Sequence, residues 1–291
     1  MTKRKRYRRQ AACANKNTLL RYMIVAFVLL VGVKFASDIR ARDEERALRE
    51  RESETAFALP GKDSLLHVVT NPVLDQLMLN RTGMSISFNR QMHEPNWVAW
   101  ELTADETKGS IKRESKFSTD PDVEASADPW DYNYTGFDRG HMAPAGDMKW
   151  DADAMRETFY MTNICPQAKA LNTGAWKNLE ERCRRWAQRD SSLIIVCGPV
   201  LTDTITEFIG DNRVAVPSRF FKVILAPYAK PMRAIGFIFP NAKAIGGLQP
   251  AAVSVDSVES VTGHDFFTAL PDSLQKIIEA QSDFHLWNTL K

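Results

Sequence analysis

A base, a cation and two oxygen-bearing side chains stand close together in the middle of this chain. The run Asp138-Arg139-Gly140-His141 supplies an imidazole, which can take a proton from water near pH 7, and a guanidinium, which can clamp a phosphate. About thirty residues later, Asn172 and Glu180 add oxygen atoms of the kind that Mg²⁺ prefers. Together these are the parts that metal-assisted hydrolysis of a phosphodiester requires.

His141 follows a glycine and precedes Met-Ala-Pro, so we expect it at the end of a strand or in a turn. Its second ring nitrogen would be held by Asp138 or by a backbone carbonyl. Without further context, a histidine that only caps a turn is an equally good interpretation.

The clearest helix is predicted over residues 175–189, where Trp176, Leu179, Cys183 and Trp186 recur every three or four residues as an apolar stripe. Glu180 and Arg184 are four residues apart on the opposite face, a spacing that also suits an ordinary surface ion pair. Asn172 precedes this helix. It is therefore either an N-cap or, through its amide oxygen, a metal ligand.

The elements that position these residues mix strands and helices without strict alternation, which indicates an α+β fold: a sheet with helices packed on it. Alternating runs at 84–88 and 98–102 predict two strands that pair across residues 90–96. A polar stretch at 104–130 reads as a loop, and residues 159–163 as a short strand. Central strands are predicted at 193–197, 220–225 and 234–239, and a second helix at 271–281.

Two of these segments, DRGHMAPAGD at 138–147 and LNTGAWKNLE at 171–180, resemble the DNA/RNA non-specific endonucleases. That family has the ββα-metal, or His-Me finger, fold and includes endonuclease G. The resemblance covers most of residues 80–270 in the right order, with further matches at 159–167, 198–199, 216–223 and 239–241. It implies a central, mostly antiparallel sheet.

The resemblance also implies roles for single residues. It makes His141 the general base and Asn172 the ligand of one Mg²⁺, with Mn²⁺ as a substitute. Glu180 would hold water on the metal, Arg184 would contact phosphate and Arg139 would lie across the scissile phosphate. Asn163 would support the site, although turn formation before Pro166 explains it equally well.

The charge and the cysteine content of the chain limit the binding partners and metal sites that it can have. The chain has a formal net charge of +2, but residues 1–34 hold nine Lys or Arg and no acid, so the remainder is at −7. An acidic body must bind nucleic acid through a local basic cleft. The four cysteines have no zinc-site spacing, and Cys183 and Cys197 are expected to be buried free thiols. A disulfide among Cys165, Cys183 and Cys197 is the open alternative.

The N-terminus predicts a basic tail (1–18), an apolar span (19–36) and a charged stalk or linker (37–60) before the nuclease domain at 61–291. The cations ahead of the span place the body outside the cytoplasm, on an uncleaved anchor. A cleaved signal peptide, which would release a secreted protein, and a mitochondrial presequence are the alternatives.

The sequence therefore predicts an enzyme that hydrolyses phosphodiester bonds of DNA and RNA with little regard for sugar or sequence and leaves 5′-phosphates. Two alternatives stay open. One is an enzyme of the same fold that acts on small nucleotides, and the other is a catalytically idle nucleic-acid-binding protein at the membrane. A homodimer is open as well, because the sequence does not fix the oligomeric state.

Overall fold

The computed structural model describes residues 59–288, together with Lys34, Ile39 and Arg42. Leu59–Lys291 makes up one compact unit. The predicted tail lies outside the described residues. The predicted span, except for Lys34, and most of the predicted stalk also lie outside them. In the described part of the chain, no helix combines the length and hydropathy that crossing a membrane would need.

A seven-stranded antiparallel sheet forms the centre of this unit, in the order β1-β2-β3-β6-β9-β10-β11. Its strands are β1 (Leu77–Asn80), β2 (Ser85–Asn89), β3 (Glu94–Thr103), β6 (Ser192–Pro199), β9 (Arg219–Ala226), β10 (Arg233–Pro240) and β11 (Ala252–Val253). Two separate ribbons are β4 (Phe137–His141) with β5 (Ile164–Ala168), and β7 (Phe208–Ile209) with β8 (Val214–Ala215). The predicted α+β class with an antiparallel sheet is confirmed.

Within residues 59–288, six helices accompany the sheet: α1 (Lys62–Leu65), α2 (Ala152–Glu157), α3 (Lys177–Asp190), α4 (Val255–Thr262), α5 (Asp272–Ile278) and α6 (Phe284–Asn288). The longest, α3, buries the predicted stripe against the sheet, and Trp186 meets Trp287 of α6 edge-on with ring centroids 4.9 Å apart. The predicted central strands and both predicted helices are confirmed, because long apolar runs and a 3.6-residue period leave the chain little choice.

The predicted strand at 159–163 is wrong. Met161–Asn163 is a single 3-10 turn, and the strand begins only at Ile164. This strand, β5, runs through Pro166, which a two-stranded ribbon tolerates because its outer edge needs no backbone donor. The extended segment begins one residue after the predicted strand ends, because its start depends on hydrogen bonds to distant residues.

Three cysteines, Cys165, Cys183 and Cys197, are buried and free. This confirms the expectation from the sequence for Cys183 and Cys197. Burial raises the pKa of the Cys183 and Cys197 thiols to about 12. These side chains therefore act as small apolar groups of the core.

Candidate active site

One ribbon and one helix position the candidate site. His141 is the last residue of β4, and β5 returns antiparallel to it before the chain enters a widened turn at Leu171–Trp176. A kink at Gly174 (φ −105°, ψ −111°) redirects the chain into α3. These elements enclose a cleft of about 320 Å³ lined by Arg113, His141, Pro144, Ala145, Gly146, Asn172, Thr173, Lys177, Glu180 and Arg184.

Four of the six predicted site residues therefore line one cleft, although they are spread over 44 positions of sequence. A larger groove, of about 810 Å³, lies elsewhere, between α1 and the β1–β2 edge of the sheet. It contains none of the predicted residues. Size alone would select the wrong place, and the clustered chemistry identifies the smaller cleft.

His141 is 9% exposed, and its ring lies between two aromatic rings, with centroid distances of 5.3 Å to Phe117 and 4.8 Å to Phe159. Its Nε2 is buried and has no hydrogen-bond partner among the described residues. Burial, helped by the nearby charge of Arg113, lowers the pKa of His141 to about 3. The imidazole is therefore neutral at physiological pH, as a general base must be.

Asn163 holds the chain that follows His141. Its fully buried amide donates to the carbonyls of Ala143 and Thr158, both at 2.9 Å, and accepts from the Ala143 N–H at 2.9 Å. Trp176 adds a second restraint, because its Nε1 donates to the His141 carbonyl at 3.2 Å. Asn163 thus supports the site through the backbone and does not line the cleft.

One interpretation of the sequence expected Asp138 to hold the second ring nitrogen of His141. The structure shows no such hydrogen bond among the described residues. Oδ2 of Asp138 instead accepts a 2.9 Å hydrogen bond from Nδ2 of Asn172. With its amide nitrogen engaged, Asn172 leaves Oδ1 as the atom without a partner among the described contacts. The amide oxygen is thereby oriented as an acceptor or ligand in the cleft.

Asn172 is also not an N-cap. Ala170 precedes the widened turn and Trp176 precedes α3, and neither end receives a side-chain cap. The competing interpretation of Asn172 from the sequence was therefore wrong. The hydrogen bond to Asp138 gives the residue a different structural partner.

Glu180 and Arg184 flank the buried stripe of α3 instead of lying opposite to it, and both are half-buried. Arg184 donates from Nη1 to Oδ1 of buried Asp147 at 2.7 Å, and Trp100 donates to the other oxygen at 3.2 Å. Burial raises the pKa of Glu180 to about 7, even though neighbouring cations oppose the shift. The two residues do not pair directly in the described contacts, so the surface-ion-pair interpretation was wrong.

Arg139, like Asn163, is a predicted residue that does not line the cleft. Its guanidinium donates to the Pro129 carbonyl and, at 2.8 Å, to Oδ1 of Asn133. It also lies over the rings of Phe117 (5.6 Å) and Tyr132 (5.8 Å). The Phe117 ring thus contacts both Arg139 and His141, while Arg139 is not among the residues that line the cleft.

Three cations of this region were not predicted from the sequence. Arg113 lines the cleft and packs over Phe159 at 5.1 Å, yet it comes from the polar stretch that reads as a loop. Lys177 lines the cleft from the start of α3. No spacing rule connects Arg113 to the DRGH motif, whereas Lys177 could have been found because it lies one turn before Glu180.

The third missed cation is Lys222 of β9, which is fully buried. Its Nζ has no hydrogen-bond acceptor among the described residues and lies 4.4 Å from the Trp176 ring centroid and 5.2 Å from that of Trp100. These ring faces stabilise the ammonium, and its charge acts to lower the pKa of Glu180. Lys222 is therefore an electrostatic support beneath the cleft.

The residues present fit a hard divalent cation. The amide oxygen of Asn172 is oriented by Asp138, and the carboxylate of Glu180 lines the same cleft. Among the described residues, no cluster of three His, Cys, Asp or Glu ligands occurs at this cleft. A single direct protein ligand suits Mg²⁺, which keeps most of its water molecules.

Comparisons with known proteins identify the family of this chain. The family described as DNA/RNA non-specific endonuclease matches residues 62–273. "Nuclease EXOG, mitochondrial" of Danio rerio is 39% identical over 207 residues, which are 65% of this chain and 60% of the relative. The chain thus spans less than two thirds of that relative's length. "Nuclease C1" of Cunninghamella echinulata var. echinulata is 36% identical over 229 residues, 72% of this chain and 90% of that protein.

A solved structure gives the same picture for the fold. The EndoG/EndoGI complex aligns with a TM-score of 0.65 and 28% identity and covers 74% of this chain and 95% of the other. The resemblance first recognised in the motifs at 138–147 and 171–180 is confirmed. This chain belongs to the DNA/RNA non-specific endonuclease family.

Proposed function

We propose that the chain is a divalent-metal-dependent endonuclease that hydrolyses phosphodiester bonds of DNA and RNA. The observation that carries the proposal is the placement of a neutral His141 and an oriented Asn172 amide oxygen in one cleft with Glu180 and Arg184. Family membership supports both the reaction and the need for a divalent cation.

The chain's own residues divide the work of hydrolysis. His141 takes the proton from a water molecule, which then attacks phosphorus in line with the departing 3′-oxygen. Arg184, fixed by Asp147, is placed to neutralise phosphate charge. A Mg²⁺ held by Asn172, or Mn²⁺ in its place, would supply Lewis-acid stabilisation of the transition-state charge. Departure of the 3′-oxygen leaves 5′-phosphate ends.

Substrate recognition by the backbone would make cleavage largely independent of base and sugar. Arg113, Lys177 and Arg184 give the cleft a basic lining within an otherwise acidic body. Cations contact phosphates without reading sequence. Duplex DNA, single-stranded DNA and RNA are therefore all expected substrates.

Digestion of plasmid DNA and of a structured RNA, each with Mg²⁺ and with EDTA, tests this function. We expect both polymers to be cut only with the metal, and His141→Ala to abolish cutting. Cleavage of bis-p-nitrophenyl phosphate without cleavage of either polymer would favour the alternative of a small-nucleotide phosphodiesterase. Binding of DNA in a gel shift without any cleavage would favour the idle binding protein.

We also propose that residues 19–36 anchor the protein, with the nuclease domain outside the cytoplasm. The basic residues before this segment support that orientation. Protease added to intact spheroplasts, or to the equivalent sealed compartment, should digest the body. Protection until lysis would overturn the localisation, and a soluble, shortened product would favour cleavage of the segment.

A further inference from the structure

Three carboxylates converge where α4 meets the end of α5. Asp256 and Glu259 project from α4, and Glu279 is the residue that caps the C-terminus of α5. One oxygen of each lies within 4.8 Å of the others. None of the three lines the cleft of His141. We call this group the α4–α5 carboxylate cluster.

Glu279 gives the cluster a feature that surface acids lack. The residue is only 5% exposed, and its buried Oε1 has no hydrogen-bond partner within the described part of the chain. Its carboxylate is turned toward Asp256 and Glu259. A buried carboxylate oxygen without a hydrogen-bond donor is energetically costly unless a bound cation or a water molecule satisfies it.

Within residues 59–288, no cation compensates the charge of the cluster. Among the described residues, no Lys or Arg forms an ion pair with any of the three carboxylates. Burial, with the added repulsion of Glu259, Asp256 and Asp265, raises the pKa of Glu279 to about 8. The negative end of the α5 dipole is a further unfavourable neighbour.

We propose that the α4–α5 carboxylate cluster binds one divalent cation of the calcium type. Hard cations take carboxylate oxygens, and Ca²⁺ accepts several of them in a flexible geometry, whereas Mg²⁺ keeps most of its water molecules and takes one or two carboxylates. Three oxygens within 4.8 Å of one another fit around one such ion. Water molecules would complete its coordination.

The cation would connect α4, α5 and the 263–266 segment, which few of the described hydrogen bonds join. The Asp256 N–H donates to the Glu279 carbonyl at 3.3 Å, and Glu259 accepts from the Phe266 N–H at 2.9 Å. Asp265, next to Phe266, pairs with Val69 through backbone hydrogen bonds. Metal binding at the cluster therefore stabilises the packing of α4, α5 and the 263–266 segment.

Thermal unfolding of the full-length protein tests the proposal without relying on nuclease activity. Asn172→Ala serves as the background, because it removes the ligand proposed for the cleft. Calcium at about 100-fold over its dissociation constant should raise Tm by a few degrees relative to EGTA. Calorimetric titration of Ca²⁺ should give one site, and an equal concentration of Mg²⁺ should give a smaller shift.

Matched variants locate the effect. Glu279→Gln and Asp256→Asn should each lose the calcium-dependent rise, whereas Glu124→Gln, a charge change at an exposed position outside the cluster, should keep it. Asp256 is exposed, so its variant stays informative even if Glu279→Gln does not fold. Absence of a calcium shift, its retention in both cluster variants, or an equal shift with Mg²⁺ would each overturn the assignment.

Discussion

The orientation of the Asn172 amide depends on one hydrogen bond. An asparagine side chain offers a donor and an acceptor, and only its surroundings decide which atom faces a ligand. Here Asp138 takes the donor, which leaves the oxygen for the cleft. The acid before the DRGH arginine thus has a definite task, which neither the spacing nor the helix pattern in the sequence could assign.

Removal of this hydrogen bond should weaken metal use. We expect Asp138→Ala to raise the Mg²⁺ concentration for half-maximal activity by roughly 10–100-fold, as is typical when the partner of a metal ligand is lost. Asp138→Asn keeps an acceptor for Nδ2 and should retain most of the affinity. Mg²⁺ titrations of plasmid cleavage decide the matter, and an unchanged midpoint in Asp138→Ala would refute the positioning role.

The loss of His141 should affect rate far more than folding. His141→Ala should reduce cleavage by about 10²–10⁴-fold, the usual contribution of a general base. The ring also packs between Phe117 and Phe159, so a modest decrease in Tm is expected as well. Cleavage assays beside thermal melts measure both effects. A folded variant with near-normal activity would contradict the proposed mechanism.

The pH dependence should follow Glu180 and not His141. Activity should fall as pH drops through the Glu180 pKa of about 7, because the carboxylate form is lost, while the His141 pKa of about 3 lies too low to matter. Lys222→Met removes a charge that lowers the Glu180 pKa, so the acidic limb should move to higher pH. Methionine preserves the packing on the two indoles.

Lys177→Met is the control for Lys222→Met. Lys177 lines the cleft and carries the same charge, but its side chain is 61% exposed to solvent. Its acidic limb should stay in place. The pH profiles of kcat/KM for wild type and both variants provide the measurement. An acidic limb that does not move in Lys222→Met would show that the buried lysine does not tune Glu180.

At the scale of elements, local patterns were sufficient wherever one period dominated. The buried stripe fixed α3, and the apolar runs fixed β6, β9 and β10. The start of β5 could not be predicted, because it depends on Asn163 bonding to Ala143 and Thr158. The entry of Arg113 into the cleft depends likewise on tertiary packing. Four of the six predicted site residues line the cleft, and periodicity alone would have identified none of them.

Two glycines are in close contact with different parts of the molecule. Gly146 lies against a side chain of the cleft, and Gly198 lies against the backbone of the sheet. In Gly146→Ala, the new Cβ would lie 2.9 Å from Nη1 of Arg184, which can move aside at the expense of its pairing with Asp147. In Gly198→Ala, the Cβ would meet the backbone oxygen of Asn96 in β3 at 2.4 Å, which cannot yield cheaply.

We therefore expect Gly146→Ala to lower activity with little change in stability. Gly198→Ala should lower the free energy of unfolding by about 1–3 kcal/mol, the usual cost of overpacking, with activity retained at low temperature. Urea unfolding beside cleavage assays measures both quantities. The opposite pattern, a stable Gly198→Ala and an unfolded Gly146→Ala, would show that these close approaches are not the controlling contacts.

At the scale of the whole molecule, net charge and local charge point in opposite directions. The sequence beyond residue 34 is at −7, yet Arg113, Lys177 and Arg184 line the cleft. The overall acidity should repel nucleic acid, so binding depends on a small number of phosphate contacts. Composition alone argued mildly against a nucleic-acid partner and could not identify the cations that line the cleft.

This arrangement predicts a moderate response to salt. If three cations each contact one phosphate, the logarithm of 1/KM for duplex DNA should fall against the logarithm of salt with a slope of roughly −3. Arg113→Ala should reduce the magnitude of that slope by about one. Initial rates at fixed Mg²⁺ between low and moderate salt give the slopes. A slope unchanged in Arg113→Ala would exclude a phosphate contact for this residue.

The buried free thiols of the body also have a practical consequence for handling and labelling. Cys165, Cys183 and Cys197 lie in the core with thiol pKa values raised by burial, so the described body holds no exposed cysteine. If Cys13 is replaced by serine and a single cysteine is introduced at the rim of the cleft, the new thiol should react fastest with a thiol-specific dye. A fluorescent dye attached there would follow the arrival and departure of a nucleic acid on one molecule at a time, with no native cysteine of the core to remove first.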